Sequence, residues 1–179
     1  KKYQNILTDT KSALKKNNID IEIIKSKYIG HIEKIVNEYE ITQINCICII
    51  GGDGSLHEAI NGLIKRKDKL KLPLAIIPSG SGNSLSRDLN ILKPKDAIKA
   101  LIQQNKMNID VAKINYENNK IYSFNITGWG MVANIGIKAE KYRWLGTSRY
   151  TILSLIEIFL KNTSDAKITY YDKNNKKHQ

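Results

Sequence analysis

Asp53 stands inside Gly51-Gly52-Asp53-Gly54, directly after the β-branched apolar run at residues 44–50 and just before a helical stripe. Glycines at such a junction let the chain turn sharply and let a phosphate approach free backbone N–H groups. A carboxylate held at the carboxyl end of a sheet strand lies where open α/β sheets bind ligands. There it can accept a proton from an attacking hydroxyl or hold Mg²⁺. Taken alone, the pattern fits equally well a tight turn whose Asp caps a helix. A second glycine loop, Gly80-Ser81-Gly82-Asn83, follows the apolar run at 72–77 and Pro78, with hydroxyls at Ser79, Ser81 and Ser84. Two such loops on neighbouring strand ends would converge on one polyphosphate. Neither ends in Gly-Lys-Ser/Thr and neither is a dinucleotide fingerprint, so the site is of the ATP type but of another design.

The elements that must position these loops follow from periodicity. Ile6, Leu7 and Leu14 mark an amphipathic helix over residues 3–15, and Asn17-Asn18 breaks it. Alternation around Ile21 and Ile23 predicts a strand over 19–25. Ile32, Ile35, Val36 and Tyr39 predict a helix over 31–40. After the first loop, Leu56, Ala59, Ile60, Leu63 and Ile64 form one stripe, which Ser55 can help start. Pro94 favours a helix start and opens a stripe through Ile102. This order predicts a layered, three-layer α/β nucleotide-binding domain with a mainly parallel sheet over residues 1–105. Near residue 105 the rhythm changes. Residues 109–116 and 121–127 read as an antiparallel hairpin, followed by helices over 134–144 and 149–161 and a strand over 166–171. Residues 106–179 are therefore expected to form part of a β-rich second domain.

Composition sets limits without choosing a function. The 179 residues are 41% apolar, enough for a globular core, and no run approaches the length of a bilayer span. The polar start of the sequence does not read as a secretory signal, and Cys46 and Cys48, two apart in an apolar run, read as buried thiols in a reducing cytosol. The net charge of +12 suits an anionic membrane or a phosphorylated ligand. However, the lysines are spread along the chain with no Arg-rich or aromatic-interleaved stripe, which argues against nucleic acid. Lys65-Arg66-Lys67 and Lys69-Leu70-Lys71 read as a solvated basic face or as a membrane-attracted one.

The motifs resemble a known family. Residues 51–63, Gly-Gly-Asp-Gly-Ser-Leu-His-Glu-Ala-Ile-Asn-Gly-Leu, look like the signature of the diacylglycerol kinase catalytic domain, which sphingosine and ceramide kinases share. Residues 78–85 are similar to the second loop as sphingosine kinases write it. Gly128-Trp129-Gly130, then Glu140-Lys141-Tyr142-Arg143-Trp144-Leu145-Gly146 and Arg149, resembles sphingosine and ceramide kinases more than bacterial diacylglycerol kinases. The resemblance implies an ATP-dependent, Mg²⁺-assisted lipid kinase, cytoplasmic and peripherally membrane-associated, acting on a sphingoid base or a related lipid alcohol. It implies that Asp53 serves as general base or Mg²⁺ ligand, while Gly51, Gly52, Gly54, Gly80, Ser81, Gly82 and Asn83 cradle the ATP phosphates. Arg143 and Arg149 match arginines that reach phosphate oxygens, and Ser26 lies where the family usually has a nucleotide-contacting Thr. Glu58 and Asn61 would orient the site, and the helices at 134–162 would help form the lipid pocket.

The departures are equally specific. Gly136 stands where sphingosine kinases carry the Asp that reads the lipid head group, and Asn134 stands where another acid lies, leaving Glu140 to supply negative charge. Ceramide, diacylglycerol or another neutral lipid alcohol is therefore an open alternative substrate, as is a non-catalytic module binding nucleotide or anionic membrane. A soluble NAD kinase shares Gly-Gly-Asp-Gly but not the second loop or the 129–146 segment. Against the family pattern, the chain is expected to begin after the first strand and its Asn-Pro-x-Gly-Gly loop, and to stop before most of a C-terminal β-sandwich. His57 is expected to make a local hydrogen bond, His31 and His178 have no partners at metal-ligand spacing, and Trp129 and Trp144 read as packing or pocket-lining residues.

Overall fold

A computed structural model describes residues 2–116, 118–128, 130–146, 148–160, 170–171 and 176–178. Packing divides the chain into two compact units, Lys1–Ile126 and Thr127–Gln179. In the first unit the order is α1 (Lys2–Lys16), α2 (His31–Glu38), β1 (Ile47–Gly51), α3 (Asp53–Ile64), β2 (Leu74–Pro78), α4 (Ser84–Asp88), α5 (Pro94–Ile102), β3 (Ala112–Tyr116) and β4 (Asn119–Ser123).

Strands β1 and β2 pair in parallel from Ile47 opposite Leu74 to Gly51 opposite Pro78. Successive side chains leave a strand on opposite faces, so this short apolar sheet must be covered twice. Ile47, Ile49, Leu74 and Ile76 pack towards Val36 of α2 and Ala59 of α3. Cys48, Ile50 and Ile77 pack on the other side, against Ile6 of α1 and Ala97 and Ile98 of α5. The result is the expected three-layer α/β arrangement with a parallel sheet. Burial pushes the Cys48 thiol up to about 12, with Cys46 beside it adding to the effect. Both cysteines are free thiols.

The predicted strand over 19–25 does not form. The segment runs unpaired, with Ile21 and Ile23 exposed by 41% and 38%. Alternation supplies the right side chains, but a strand also needs a ladder partner, and among the described residues β1 and β2 pair only with each other. The segment is tied to the end of α2 by a hydrogen bond from the Tyr39 hydroxyl to Glu22.

The hairpin of β3 and β4 is antiparallel, as the alternation predicts. Asn61 of α3, fully buried, holds it: its Nδ2 donates to Tyr122 O at 2.8 Å, and Tyr122 N donates to its Oδ1 at 2.9 Å. The change of rhythm at residue 105 and the grouping by packing thus differ by this hairpin, which changes style but packs on α3. In the second unit, α6 (Met131–Lys141) starts earlier than periodicity suggests, directly after Gly130 at φ 67°. A 3₁₀ turn (Arg143–Leu145) and α7 (Ser148–Leu160) follow, and Ile135, Ala139 and Leu153 pack between α6 and α7. Most of the strand predicted at 166–171 lies outside the described residues. Tyr170–Tyr171 (β5) pairs antiparallel with Lys177–His178 (β6). Among the described residues no helix is long and apolar enough to cross a membrane.

Part of the basic stretch is not a solvated face. Arg66 is buried, and its Nη1 donates to Val36 O at 2.6 Å and Tyr39 O at 2.8 Å while Nε donates to Asp68 Oδ1 at 3.0 Å. It satisfies carbonyls that α2 leaves open at its C-terminus. Lys65 pairs with Glu33, and Lys67, Lys69 and Lys71 stay exposed. Replacing Arg66 by Ala is expected to lower unfolding stability by about 2–4 kcal/mol, because buried carbonyls lose a charged donor. Urea unfolding of Arg66→Ala and Arg66→Lys checks this: Lys should recover only part of the loss, and an unchanged midpoint for Arg66→Ala would contradict the role.

Candidate active site

Both glycine loops emerge from the carboxyl ends of the paired strands, side by side. Ser79 N donates to Gly51 O at 2.9 Å, continuing the ladder into the loops. Beyond that point the backbones almost touch. A Cβ on Gly80 would lie 2.7 Å from Gly52 Cα, and one on Gly52 would lie 3.1 Å from Gly80 Cα. Glycine is needed at both positions for this approach rather than for unusual dihedrals.

Asp53 locks the pair. It is the first residue of α3, but its carboxylate reaches across to the second loop. Oδ2 accepts from Ser84 N at 3.0 Å and from Ser84 Oγ at 3.3 Å, and Oδ1 accepts from Leu85 N at 3.4 Å. Asp53 therefore caps α4, whose own preceding residue, Asn83, sits in the left-handed region at φ 54° and makes no side-chain cap. Asn83 is occupied closing its loop: its Oδ1 accepts from Gly80 N at 3.0 Å and its Nδ2 donates to Gly80 O at 2.7 Å. Gly82 leaves room for the carboxylate, since a Cβ there would stand 2.8 Å from Asp53 Oδ2. A carboxylate offers about four lone-pair positions, so capping does not exhaust this one.

The structure thus brings Gly51, Gly52, Asp53, Gly54, Gly80, Ser81, Gly82 and Asn83 to one end of the sheet. Ser26 stands on the exposed segment leading into α2. Glu58, expected to orient the site, instead caps α2: Oε1 accepts from Gly30 N at 2.9 Å and Oε2 from Ile32 N at 3.1 Å. Its signal was the glycine before α2, which has no side chain with which to cap. Asn61, expected beside it in that role, holds the hairpin. His57 makes the local contact expected of it, with Nε2 3.4 Å from Asn61 Nδ2. The role of Ser84 as Asp53's partner had no local signal, because it depends on two loops distant in sequence.

In the second unit, Gly136 and Glu140 lie one turn apart on the same face of α6, with Asn134 on the other side of the buried stripe. All three are exposed. Trp129 lies outside the described residues, and Trp144 is exposed. Arg143 belongs to the 3₁₀ turn. Arg149 is buried in α7, where Nη1 donates to Gly146 O at 2.7 Å and Nη2 to the Tyr150 hydroxyl at 3.0 Å.

A family model of the diacylglycerol kinase catalytic domain matches residues 1–114, and the two glycine loops fall inside the match. The chain belongs to that family. Among curated relatives, sphingosine kinase 1 of Arabidopsis thaliana is 33% identical over 172 residues, covering 90% of this chain and 35% of the relative. Sphingoid long chain base kinase 4 of Schizosaccharomyces pombe is 31% identical over 144 residues, covering 78% and 31%. The mitochondrial acylglycerol kinase of Mus musculus is 30% identical over 140 residues, covering 73% and 33%. The chain therefore spans about a third of the length of these family members. A solved structure from Bacillus anthracis str. Sterne, assigned provisionally to the diacylglycerol kinases, superposes with a TM-score of 0.54 at 29% identity, covering 60% of this chain and 38% of that one.

Among the described residues no group of three or more His, Cys, Asp or Glu could by itself hold a metal ion. Mg²⁺ at phosphoryl-transfer sites is generally held by one or two carboxylates together with substrate phosphates. Asp53, with one lone-pair position left over beside the glycine loops, is a suitable carboxylate.

Steric closeness separates the glycines experimentally. Gly80→Ala is expected to destabilise the protein by about 1–3 kcal/mol, since its Cβ meets backbone. Gly54→Ala has open space around the new Cβ and lies in α3, so its midpoint should hold or rise slightly. Thermal unfolding of both variants checks this; equal losses would contradict the back-to-back packing.

Proposed function

We propose that the longer protein containing this chain is an ATP-dependent lipid kinase, which transfers the terminal phosphate of ATP to a hydroxyl of a sphingoid base. The observation that carries the reading is the Asp53 carboxylate bridging two glycine loops in a chain of the diacylglycerol kinase catalytic domain family. The relatives named as sphingosine and sphingoid base kinases support the choice of lipid.

In this reading, backbone N–H groups of Gly52, Gly54, Ser81 and Gly82 face the polyphosphate, while the Gly80 N–H, taken by Asn83 Oδ1, keeps the second loop closed. The lipid hydroxyl oxygen attacks the terminal phosphorus as the bond from that phosphorus to the ADP oxygen breaks. The hydroxyl proton passes to the Asp53 carboxylate and from there to solvent. Mg²⁺ carried on the phosphate oxygens would neutralise charge on the transferring group; Asp53, with one lone-pair position left beyond the three bonds it accepts, would serve either as the base or as a ligand of that ion. The exposed Lys67, Lys69 and Lys71, with the apolar face that α7 presents through Ile152, Leu155 and Phe159, support peripheral contact with an anionic membrane from the cytoplasmic side.

One observation favours a second reading of the substrate. Gly136 and Asn134 bring no carboxylate to α6, so an amine would meet only Glu140 there. A neutral lipid alcohol such as ceramide or diacylglycerol fits that face, and the relative named as an acylglycerol kinase is consistent with it.

Full-length protein given Mg-ATP and separately dispersed sphingosine, ceramide and diacylglycerol decides both points. Transfer to sphingosine, reduced by about 10²–10⁴-fold in Asp53→Asn, is the expected result. Transfer only to a neutral lipid would move the substrate and keep the mechanism. No transfer to any of them, with ATP still bound, would contradict the enzyme reading.

A further inference from the structure

A phosphate cradle needs positive charge as well as free amides, because its ligand carries several negative charges. The P-loop draws that charge from the lysine of its Gly-Lys-Ser/Thr ending. Neither glycine loop here carries such a lysine. The geometry points to a replacement in α4, four residues past the second loop. We propose that Arg87 contacts the phosphates of the bound nucleotide and is the cation of the cradle. This rests on the ATP-dependent reading above, which gives the cradle its ligand.

Arg87 stands in the last turn of α4, and its side chain runs back towards the start of that helix. Helical side chains lean in this direction by construction. Nη2 donates to Gly82 O, inside the second glycine loop. Gly82 is also the residue that lies against the Asp53 carboxylate, since a Cβ there would stand 2.8 Å from Asp53 Oδ2. One hydrogen bond thus holds the guanidinium beside the place where Asp53 joins the two loops. The backbone beneath it is fixed as well. Arg87 N donates to Asn83 O at 3.0 Å, and Asp53 caps the other end of the helix.

Most of this arginine is left for a ligand. A guanidinium has five N–H donors, and the Gly82 carbonyl takes one. The side chain is exposed, and among the described residues no carboxylate lies within ion-pair distance of it. Arg66, the other arginine of the first unit, shows the structural alternative. It is buried and spent on Asp68 and on the carbonyls of Val36 and Tyr39. Arg87 has a charge without a counter-charge, next to backbone that the nucleotide reading fills with phosphate. Its planar fork can meet two phosphate oxygens at once.

The test uses the full-length protein and measures the dissociation constant of Mg-ATP at several salt concentrations, together with the unfolding midpoint. Arg87→Ala removes the side chain, Arg87→Gln keeps a neutral donor for Gly82 O, and Arg87→Lys keeps the charge. Ala and Gln should each weaken Mg-ATP binding by about tenfold, while Lys recovers part of the loss, as a charge-assisted contact requires. In Ala and Gln the affinity should also fall less steeply with salt, because one screened contact is gone. The midpoints should hold, since the side chain is exposed. Unchanged Mg-ATP affinity in Arg87→Ala would overturn the proposal. Full recovery in Gln with none in Lys would overturn it too, and would make Arg87 a brace of the loop alone. The kinase reading fails separately: if no lipid is phosphorylated but Arg87→Ala still weakens Mg-ATP binding, that reading falls and the role of Arg87 stands.

Discussion

The contact between Asp53 and the backbone of Ser84 and Leu85 is the constraint on which the site depends. It joins the first residue of one helix to the first turn of another, across two loops separated by a whole strand–helix unit. A carboxylate near the positive end of a helix is favoured electrostatically, and here one group serves two helix ends: it belongs to α3 and caps α4. Hydrogen bonds to a charged acceptor contribute on the order of 1.5–3 kcal/mol, against roughly 0.5–1.5 for neutral pairs. The same side chain that fits a proton acceptor thus sets the separation of the two loops. Their closeness is possible only because Gly52, Gly80 and Gly82 present no side chains to one another or to the carboxylate.

Around this contact the first unit is braced by polar side chains rather than by core alone. Glu58 caps α2, Arg66 closes the other end of α2, and Asn61 joins the hairpin to α3. All three lie on α3 or immediately after it, so that helix is at once the roof of the first glycine loop and the strut for its neighbours. The sheet beneath is short and apolar on both faces, and its strand ends are fixed by in-register pairing up to Gly51 and Pro78. Strand pairing and the Asp53 and Asn83 contacts fix the two loops against one another at the carboxyl end of the sheet.

Elements with strong periodicity were legible in the sequence. The stripes of α3 and α5, the apolar runs of β1 and β2, and the glycine loops all have local causes, and the layered α/β class follows from their order. The candidate site was legible for the same reason, since glycines beside an Asp at a strand end state their chemistry locally. What could not be read were partnerships at long range. Residues 19–25 alternate as a strand would, but alternation says nothing about a neighbour to pair with. Glu58 and Asn61 lie on the polar side of a helix next to the loop, and only the packing of α2 and the hairpin shows that they are structural. Arg66 reads as one more surface cation until the open carbonyls of α2 come into reach. Arg149 matches a phosphate-binding pattern by its spacing, while its hydrogen bonds depend on how α7 meets the Gly146 turn.

The central claim is that the two glycine loops form one phosphate cradle. It is tested most directly by following the backbone amide resonances of Gly52, Gly54, Gly80 and Gly82 while Mg-ATP is titrated into the full-length protein. A single cradle predicts that amides of both loops shift together, along one binding curve and with one dissociation constant. Shifts confined to one loop, or two loops responding with different constants, would contradict it.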